Sequence, residues 1–227
     1  VASLAKLIAV EWDGRDASGL TPTQQLKAVN DKAHDQLIKQ YTTLNRILLP
    51  AIKQVGINLL QVDELTDEQF RYIKDYFHDE LYPVLTPMAD DSSRPFPFIS
   101  NDTINLSLRL TKKDSDKSLY ATLQVPKIFP RVVKLPGGEN DFILLENIIE
   151  RFVSQLFINY DIQEVAIFRV IRDMDLDVAE EDTSDLLKEV QQQLKLRAHG
   201  KVIRLEVAST ISKKLRKRLV RELKTDE

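Results

Sequence analysis

Residues 76–110 read YFHDELYPVLTPMADDSSRPFPFISNDTINLSLRL, and within them the chain changes from one periodicity to another. The stretch enters as an aromatic, acidic helix and leaves as an alternating strand. Between the two stand Pro83, Pro87 and the Pro95/Pro97 pair. Each proline fixes its own φ and steers the preceding residue away from helical geometry. The backbone over 81–98 is therefore expected to run stiff and extended, as a segment that positions its neighbours rather than reacting.

Downstream, Ile104, Leu106, Leu108 and Leu110 alternate with polar residues, as do Leu119, Ala121, Leu123 and Val125 after the charged turn KKDSDK. Period two of this kind predicts a β-hairpin. Residues 131–135 and 142–145 predict a second hairpin around Pro136, Gly137 and Gly138, followed by a helix over 146–157. A long strand is expected over 164–178, bending or breaking near Asp173. A helix over 182–197 follows, with Leu186, Leu187, Val190 and Leu194 inward and Gly200 as its stop. Residues 202–207 predict the last strand, and Ser209 or Thr210 the cap of a closing helix. This order points to the α+β class, with N-terminal helices followed by an antiparallel sheet that carries helices on one face.

Upstream, residues 1–12 place apolar side chains at helical spacing with no N-cap before them, which suggests the end of a helix begun elsewhere. Residues 13–22 form a Gly- and Asp-rich loop, after which Thr21 caps a helix with Pro22 at its first position. Leu26, Val29, Ala33, Leu37, Ile38, Tyr41, Leu44, Ile47 and Leu48 recur at three and four residues and predict one buried stripe. Pro50 is expected to end or kink that helix, and a short helical piece continues to Gly56. Residues 57–62 are expected to be extended, and Thr66 to cap the acidic helix that reaches Leu81.

The 227 residues, 43% apolar and 30% charged, are enough to bury a sizeable core as one or two domains. The formal charge of −3 provides no global field that would gather nucleic acid or an anionic membrane, so any polyanion site must be local. Cysteine is absent, which excludes disulfides, thiolate metal sites and thiol nucleophiles. No apolar run reaches the length of a membrane span and no leader opens the chain, so a soluble, cytoplasmic protein is expected.

Chemistry-bearing residues are few. Asp173, Asp175 and Asp177 alternate, but Val178 and Ser184 stand where a calcium loop needs glycine and glutamate, so they read as a solvated strand end. His34, His78 and His199 each lack the basic, glycine-rich surroundings that would stabilise a phosphoryl group. The Gly137–Gly138 pair is a hairpin turn, not a phosphate loop. The tail ISKKLRKRLVREL sets Lys213, Lys214, Arg216, Lys217, Arg218 and Arg221 around an apolar stripe of Ile211, Leu215, Leu219 and Leu223. Such a helix is either an ordinary amphipathic element with a basic outer face or a phosphate contact. Nucleic acid is disfavoured, because no aromatics interleave with the basic residues. Arg169 and Arg172 point to opposite faces of a regular strand and can serve either a phosphate path or salt bridges with nearby carboxylates.

Several stretches resemble the first kind of bacterial polyphosphate kinase. YPVLTP at 82–87, the acidic patch at 89–91, RPFP at 94–97 and NLSL at 105–108 follow one another as in that family, with Arg94 where the family has histidine. The resemblance continues through DGRDASGLTPTQQL at 13–26, FILLENII at 142–149, FRVIRD at 168–173, DLDVAEEDTSDLL at 175–187 and KVIRLEV at 201–207. It covers almost the whole chain, in order.

The resemblance implies a C-terminal part of the helical N-terminal domain over 1–62 and the head, or middle, domain over 63–227. It sets the Pro-rich crossing on the line between them. The full-length enzyme of that family moves the terminal phosphate of ATP onto polyphosphate through a phosphohistidine, uses ATP and Mg, and forms a homo-oligomer that can sit peripherally on the membrane. Its reactive histidine and magnesium-binding residues belong to later domains. The resemblance therefore assigns no catalytic, cofactor-binding or metal residue here, and leaves Arg94, Arg169, Arg172, Lys213, Lys214, Lys217 and Arg218 as the residues that could face polyphosphate. The competing expectation is a stand-alone protein-interaction or polyanion-binding module with no enzymatic role.

Overall fold

The computed structural model describes residues 2–90, 96–113, 118–173 and 200–225. The chain forms two compact units, Val1–Ile57 and Asn58–Glu227.

The first unit is helical. Helix α1, Ala2–Ala9, is followed by a loop in which Asp16 Oδ1 accepts hydrogen bonds from Ser18 N at 2.9 Å and Leu20 N at 3.0 Å. Hydrogen bonds from the Ser18 side chain first, then from backbone amides, hold the Asp16 carboxyl below the ordinary aspartate range. Thr21 then starts α2, Pro22–Thr43, through a reciprocal capping box with Gln24. Pro50 does not end this run. The helix opens into a π turn over Leu44–Leu48 and resumes as α3, Leu49–Gln54, with the proline in its first turn, where the missing N–H costs least. Gly56, at φ 83°, closes it.

The expected buried stripe of α2 is the larger correction. Ile38 is 64% and Ile47 61% exposed, and Val29, Tyr41, Leu44 and Leu48 are exposed too. Period 3.6 identifies a face that favours burial, but it does not supply the surface that buries it. Among the described residues of this unit, α1 is the helix that packs on α2, and it leaves this face open.

The second unit is α+β and holds two sheets. Strands β1 (Asn58–Leu59), β6 (Asp141–Leu144) and β5 (Val132–Lys134) form the smaller one, with β1 parallel to β6 and the β5–β6 hairpin antiparallel. The larger sheet runs β2 (Met88–Asp90), β4 (Ser118–Gln124), β3 (Ile104–Lys112), β7 (Tyr160–Arg172) and β8 (Val202–Val207), antiparallel throughout.

Strand β2 was not expected. Three residues flanked by prolines carry no period, yet Met88, Ala89 and Asp90 pair with Thr122, Ala121 and Tyr120. The crossing thus lies wholly inside the second unit and adds an edge strand to its sheet, rather than marking the boundary at 57/58. Strand β7 starts at Tyr160, earlier than the apolar pattern suggests, because Ile162 pairs with Leu110 across a bulge at Gln163 that breaks the alternation.

Helices cover both faces of the larger sheet, not one. On the first face, Leu106, Leu108, Leu110, Ala121 and Leu123 pack against Ile73 of α4 (Asp67–Tyr76), Phe77 and Leu81 of the π turn that extends it, and Ile148 of α5 (Leu145–Phe152). On the second, Phe168, Val170 and Val202 meet Leu219 and Leu223 of α6 (Lys213–Leu223). Successive strand residues alternate sides, and the cross-strand pairs Asn105–Phe168 and Ser107–Ala166 confirm which side each takes. The helix expected over 182–197 lies outside the described residues.

Candidate functional site

Helix α6 is the basic element within the second unit. Its cap is Ser212, not Ser209 or Thr210: Ser212 Oγ accepts from Leu215 N at 3.2 Å. Leu215, Leu219 and Leu223 recur every four residues and are buried, which turns Lys213, Lys214, Arg216, Lys217, Arg221 and Lys224 outward. Lys213, Lys214, Lys217 and Lys224 have no carboxylate partner among the described residues.

What holds α6 in place is polar. Glu164, on β7 just after the bulge, accepts from Ser212 N and Ser212 Oγ, both at 2.8 Å. The same carboxylate faces Arg109 Nε at 3.6 Å. Two turns into the helix, the Arg218 guanidinium lies 3.9 Å over the Tyr120 ring, with its side chain only 13% exposed and Glu222 Oε1 at 3.8 Å. Burial lowers the Arg218 pKa, partly offset by Glu222. Arg218 is thus a stacking anchor, whereas Lys213, Lys214, Lys217 and Lys224 point to solvent.

The two strand arginines fall on opposite sides of the sheet, as three-residue spacing requires. Arg169 donates to Glu206 Oε2 at 2.6 Å and to Asp102 Oδ1 at 3.1 Å, and Arg204 also pairs with Glu206. Arg172, on the α6 side at the strand end, donates to the carbonyls of Ile99 and Gly200 at 2.8 Å each and stacks 4.5 Å over Phe98. Burial lowers its pKa. These arginines are not brought together with the α6 lysines, and both are engaged in closing the sheet end. Arg94, Asp175, Asp177 and His199 lie outside the described residues.

His34 is exposed on α2, with Nδ1 3.2 Å from the Asn30 carbonyl, and His78 lies edge-on to Phe77. Neither adjoins a phosphate-sized basic pocket. Among the described residues no group of three or more His, Cys, Asp or Glu is arranged to hold a metal, and no helix is long and apolar enough to cross a membrane.

Two surfaces escape sequence reasoning. One is an open cleft of about 530 Å³ lined by Gln61, Asp63, Phe70, Asn147, Glu150 and Arg151, with the Arg151 guanidinium 5.3 Å over Phe70. Partial burial raises the Glu150 carboxyl pKa. The other is the flank of α4, where Tyr72 and Tyr76 stack in parallel, 6.2 Å apart, beside exposed Asp75, Asp79 and Glu80. Burial, then Tyr72 and Glu80, raises the Tyr76 hydroxyl pKa. The i, i+4 tyrosines were the available signal for this flank; the cleft had none, since it forms between residues some 85 positions apart, such as Asn147 and Gln61, which share a 3.1 Å hydrogen bond.

Comparisons with known proteins converge. Residues 1–60 match the family model of the polyphosphate kinase N-terminal domain, and residues 68–227 that of the polyphosphate kinase middle domain. A polyphosphate kinase of Lactiplantibacillus plantarum is 57% identical over 228 residues, covering 100% of this chain and 32% of the relative. One from Halalkalibacterium halodurans is 40% identical, over 84% of this chain and 27% of the relative. The crystal structure of polyphosphate kinase from Porphyromonas gingivalis matches with a TM-score of 0.72 at 21% identity, over 98% of this chain and 31% of that one, which supports the fold. The chain thus spans about a third of the length of these relatives.

Proposed function

The chain belongs to the polyphosphate kinase family, and on that premise we propose that it forms the end of the helical N-terminal domain, residues 1–62, and the head domain, residues 63–227, of an enzyme that reversibly transfers the terminal phosphate of ATP to polyphosphate through a phosphohistidine. In this reading the portion shapes the tunnel wall and joins copies of a cytoplasmic homo-oligomer. ATP and Mg serve the whole enzyme, and the groups that transfer phosphate lie outside these residues.

The observation that carries the reading is the order of the matches: two adjoining family models fall in sequence along one chain and cover nearly all of it. The side-chain contacts support a division of labour. Arg169, Arg172 and Arg218 are held by carboxylates, carbonyls or rings, which favours Lys213, Lys214 and Lys217 on the outer face of α6 as the polyphosphate contact in this reading.

Two measurements test this. Incubated with γ-labelled ATP and magnesium, the chain gains no acid-labile phosphohistidine; covalent label on His34, His78 or His199 overturns the assignment. Long-chain polyphosphate binds with strong salt dependence, and the variant Lys213→Glu/Lys214→Glu/Lys217→Glu loses that binding. Judged by single-stranded nucleic acid, each neutralised phosphate contributes about 0.7 to the log–log salt slope, so these three lysines account for roughly 2 of the unaltered chain's slope. Binding that survives all three reversals removes α6 from the tunnel wall.

A further inference from the structure

The open cleft of about 530 Å³ against α4 and α5 has the size of a small-molecule site, and its walls carry charges that the fold leaves unmatched. Arg151 holds its guanidinium 5.3 Å over Phe70 and 5.6 Å over Phe152, so two rings fix its place. No carboxylate pairs with it among the described residues. Glu150 stands next to it in sequence, yet desolvation raises the Glu150 carboxyl pKa with no offset from the guanidinium. Asp63, from the turn Val62–Glu64, also has no ion-pair partner among the described residues. Asn147 Nδ2 donates to Gln61 Oε1 at 3.1 Å and ties that turn to α5, so the charged groups face one another across a braced wall.

Two carboxylates and one guanidinium thus line one cleft without pairing, and that pattern selects a ligand. A nucleotide or any other polyanion meets an excess of negative charge and is repelled. A plain diamine satisfies both carboxylates but is opposed by Arg151. A neutral nucleobase offers donors to the carboxylates and no anion to the guanidinium. The complement is a molecule with two cationic groups and one carboxylate on a short apolar stem.

We propose that this cleft binds a free basic α-amino acid, of the arginine or lysine type. Arg151 takes the α-carboxylate through its planar fork of donors. Glu150 and Asp63 take the α-ammonium and the side-chain cation, while the methylene stem lies along Phe70 and Val62. This goes beyond the phosphotransfer reading and does not rest on it. The cleft lies on the α4 and α5 side of the larger sheet, whereas the α6 lysines lie on the other.

Isothermal titration calorimetry on the 227-residue chain tests the site. L-arginine and L-lysine are expected to bind in the high-micromolar to millimolar range, as suits an open cleft with few anchors. Agmatine, which lacks the carboxylate, and Nα-acetyl-L-arginine, which lacks the ammonium, should each bind about tenfold more weakly or worse. Arg151→Met should weaken arginine about tenfold without weakening agmatine, which erases the difference between the two. Glu150→Gln and Asp63→Asn should each weaken arginine by a similar factor. All three positions are at the surface, so folding is expected to persist, and the ligand comparisons use the unaltered chain.

No binding of either amino acid in the millimolar range, equal affinity for arginine and agmatine, or affinities that ignore these substitutions overturn the proposal. The two readings fail separately. Arg151→Met and Glu150→Gln leave polyphosphate binding as it was, whereas a chain that binds arginine as expected but ignores polyphosphate overturns the tunnel-wall reading alone.

Discussion

Among the described residues, nineteen buried apolar side chains form a continuous core on one face of the larger sheet, from α4 and α5 down to Leu106, Leu108 and Leu123; on the other, six do so beneath α6, beside the buried polar residues Asn105, Ser107 and Thr122. The first face is held by area, the second by a small apolar contact plus a carboxylate clamp and a stacked arginine. The difference teaches where each helix keeps its freedom. A helix anchored by a broad core can carry any surface, whereas α6 is fixed at a few points, so its outer face depends on a few side chains.

The largest test of that contrast is Phe77→Ala. Phe77 is fully buried, with its ring 5.3 Å from Phe152, so truncation should cost about 3–5 kcal/mol by lost transfer energy and a residual cavity. Leu219→Ala, equally buried but at the smaller contact, should cost about 2–4 kcal/mol, because α6 can settle into the space. Urea unfolding followed by far-UV circular dichroism checks the order. Fluorescence does not serve, since the one tryptophan, Trp12, lies in the first unit. A Leu219→Ala cost above that of Phe77→Ala breaks the contrast.

A smaller effect sharpens it. Glu164→Ala strands Ser212 N–H and Arg109 together, and should cost about 1–3 kcal/mol. Ser212→Ala removes only the hydroxyl, and the double variant should cost less than the two added, with a coupling of at least about 0.5 kcal/mol, since the groups share one interaction. Strict additivity means that the clamp contributes nothing to docking α6.

Much of this was legible in the chain. The β3–β4 hairpin, the Gly-turned β5–β6 hairpin and the apolar spine of α6 all follow from period two or period four, where local pattern and tertiary burial agree. The failures have physical causes. Three-residue β2 has no period to read, and its pairing with β4 is set by the prolines around it. The bulge at Gln163 shifts the alternation of β7 by one residue. The α2 stripe is periodic yet exposed, because periodicity describes one partner of a contact and not the other. At the candidate site, the basic content of α6 was visible, but the separation of Arg218 from Lys213, Lys214 and Lys217 was not. It depends on Tyr120, nearly a hundred residues away in the chain, lying under one side chain and not the others.

The smallest expected effect compares the two helix starts themselves. Thr66 and Ser212 both cap through a side-chain oxygen, but only Thr66 has a capping box within its own segment. Thr66→Ala deletes the bond from Gln69 N–H to the hydroxyl and leaves the reverse bond, from Thr66 N–H to Gln69 Oε1 at 3.1 Å, in place. Gln69 is further tied by its amide to Asp141 Oδ2 at 2.9 Å and to the Pro136 carbonyl at 3.2 Å, so the first turn of α4 stays ordered. Ser212 has leucine at the third helical position and takes its reciprocal partner, Glu164, from another strand. Losing the Ser212 hydroxyl therefore breaks a charge-assisted bond as well as the cap. Thr66→Ala should cost about 1 kcal/mol or less and Ser212→Ala about 1–2 kcal/mol. The decisive readout is hydrogen exchange: protection should fall along α6 in Ser212→Ala and remain along α4 in Thr66→Ala. Equal loss in both helices means that the broad core under α4 gives its first turn no more support than the narrow one gives α6.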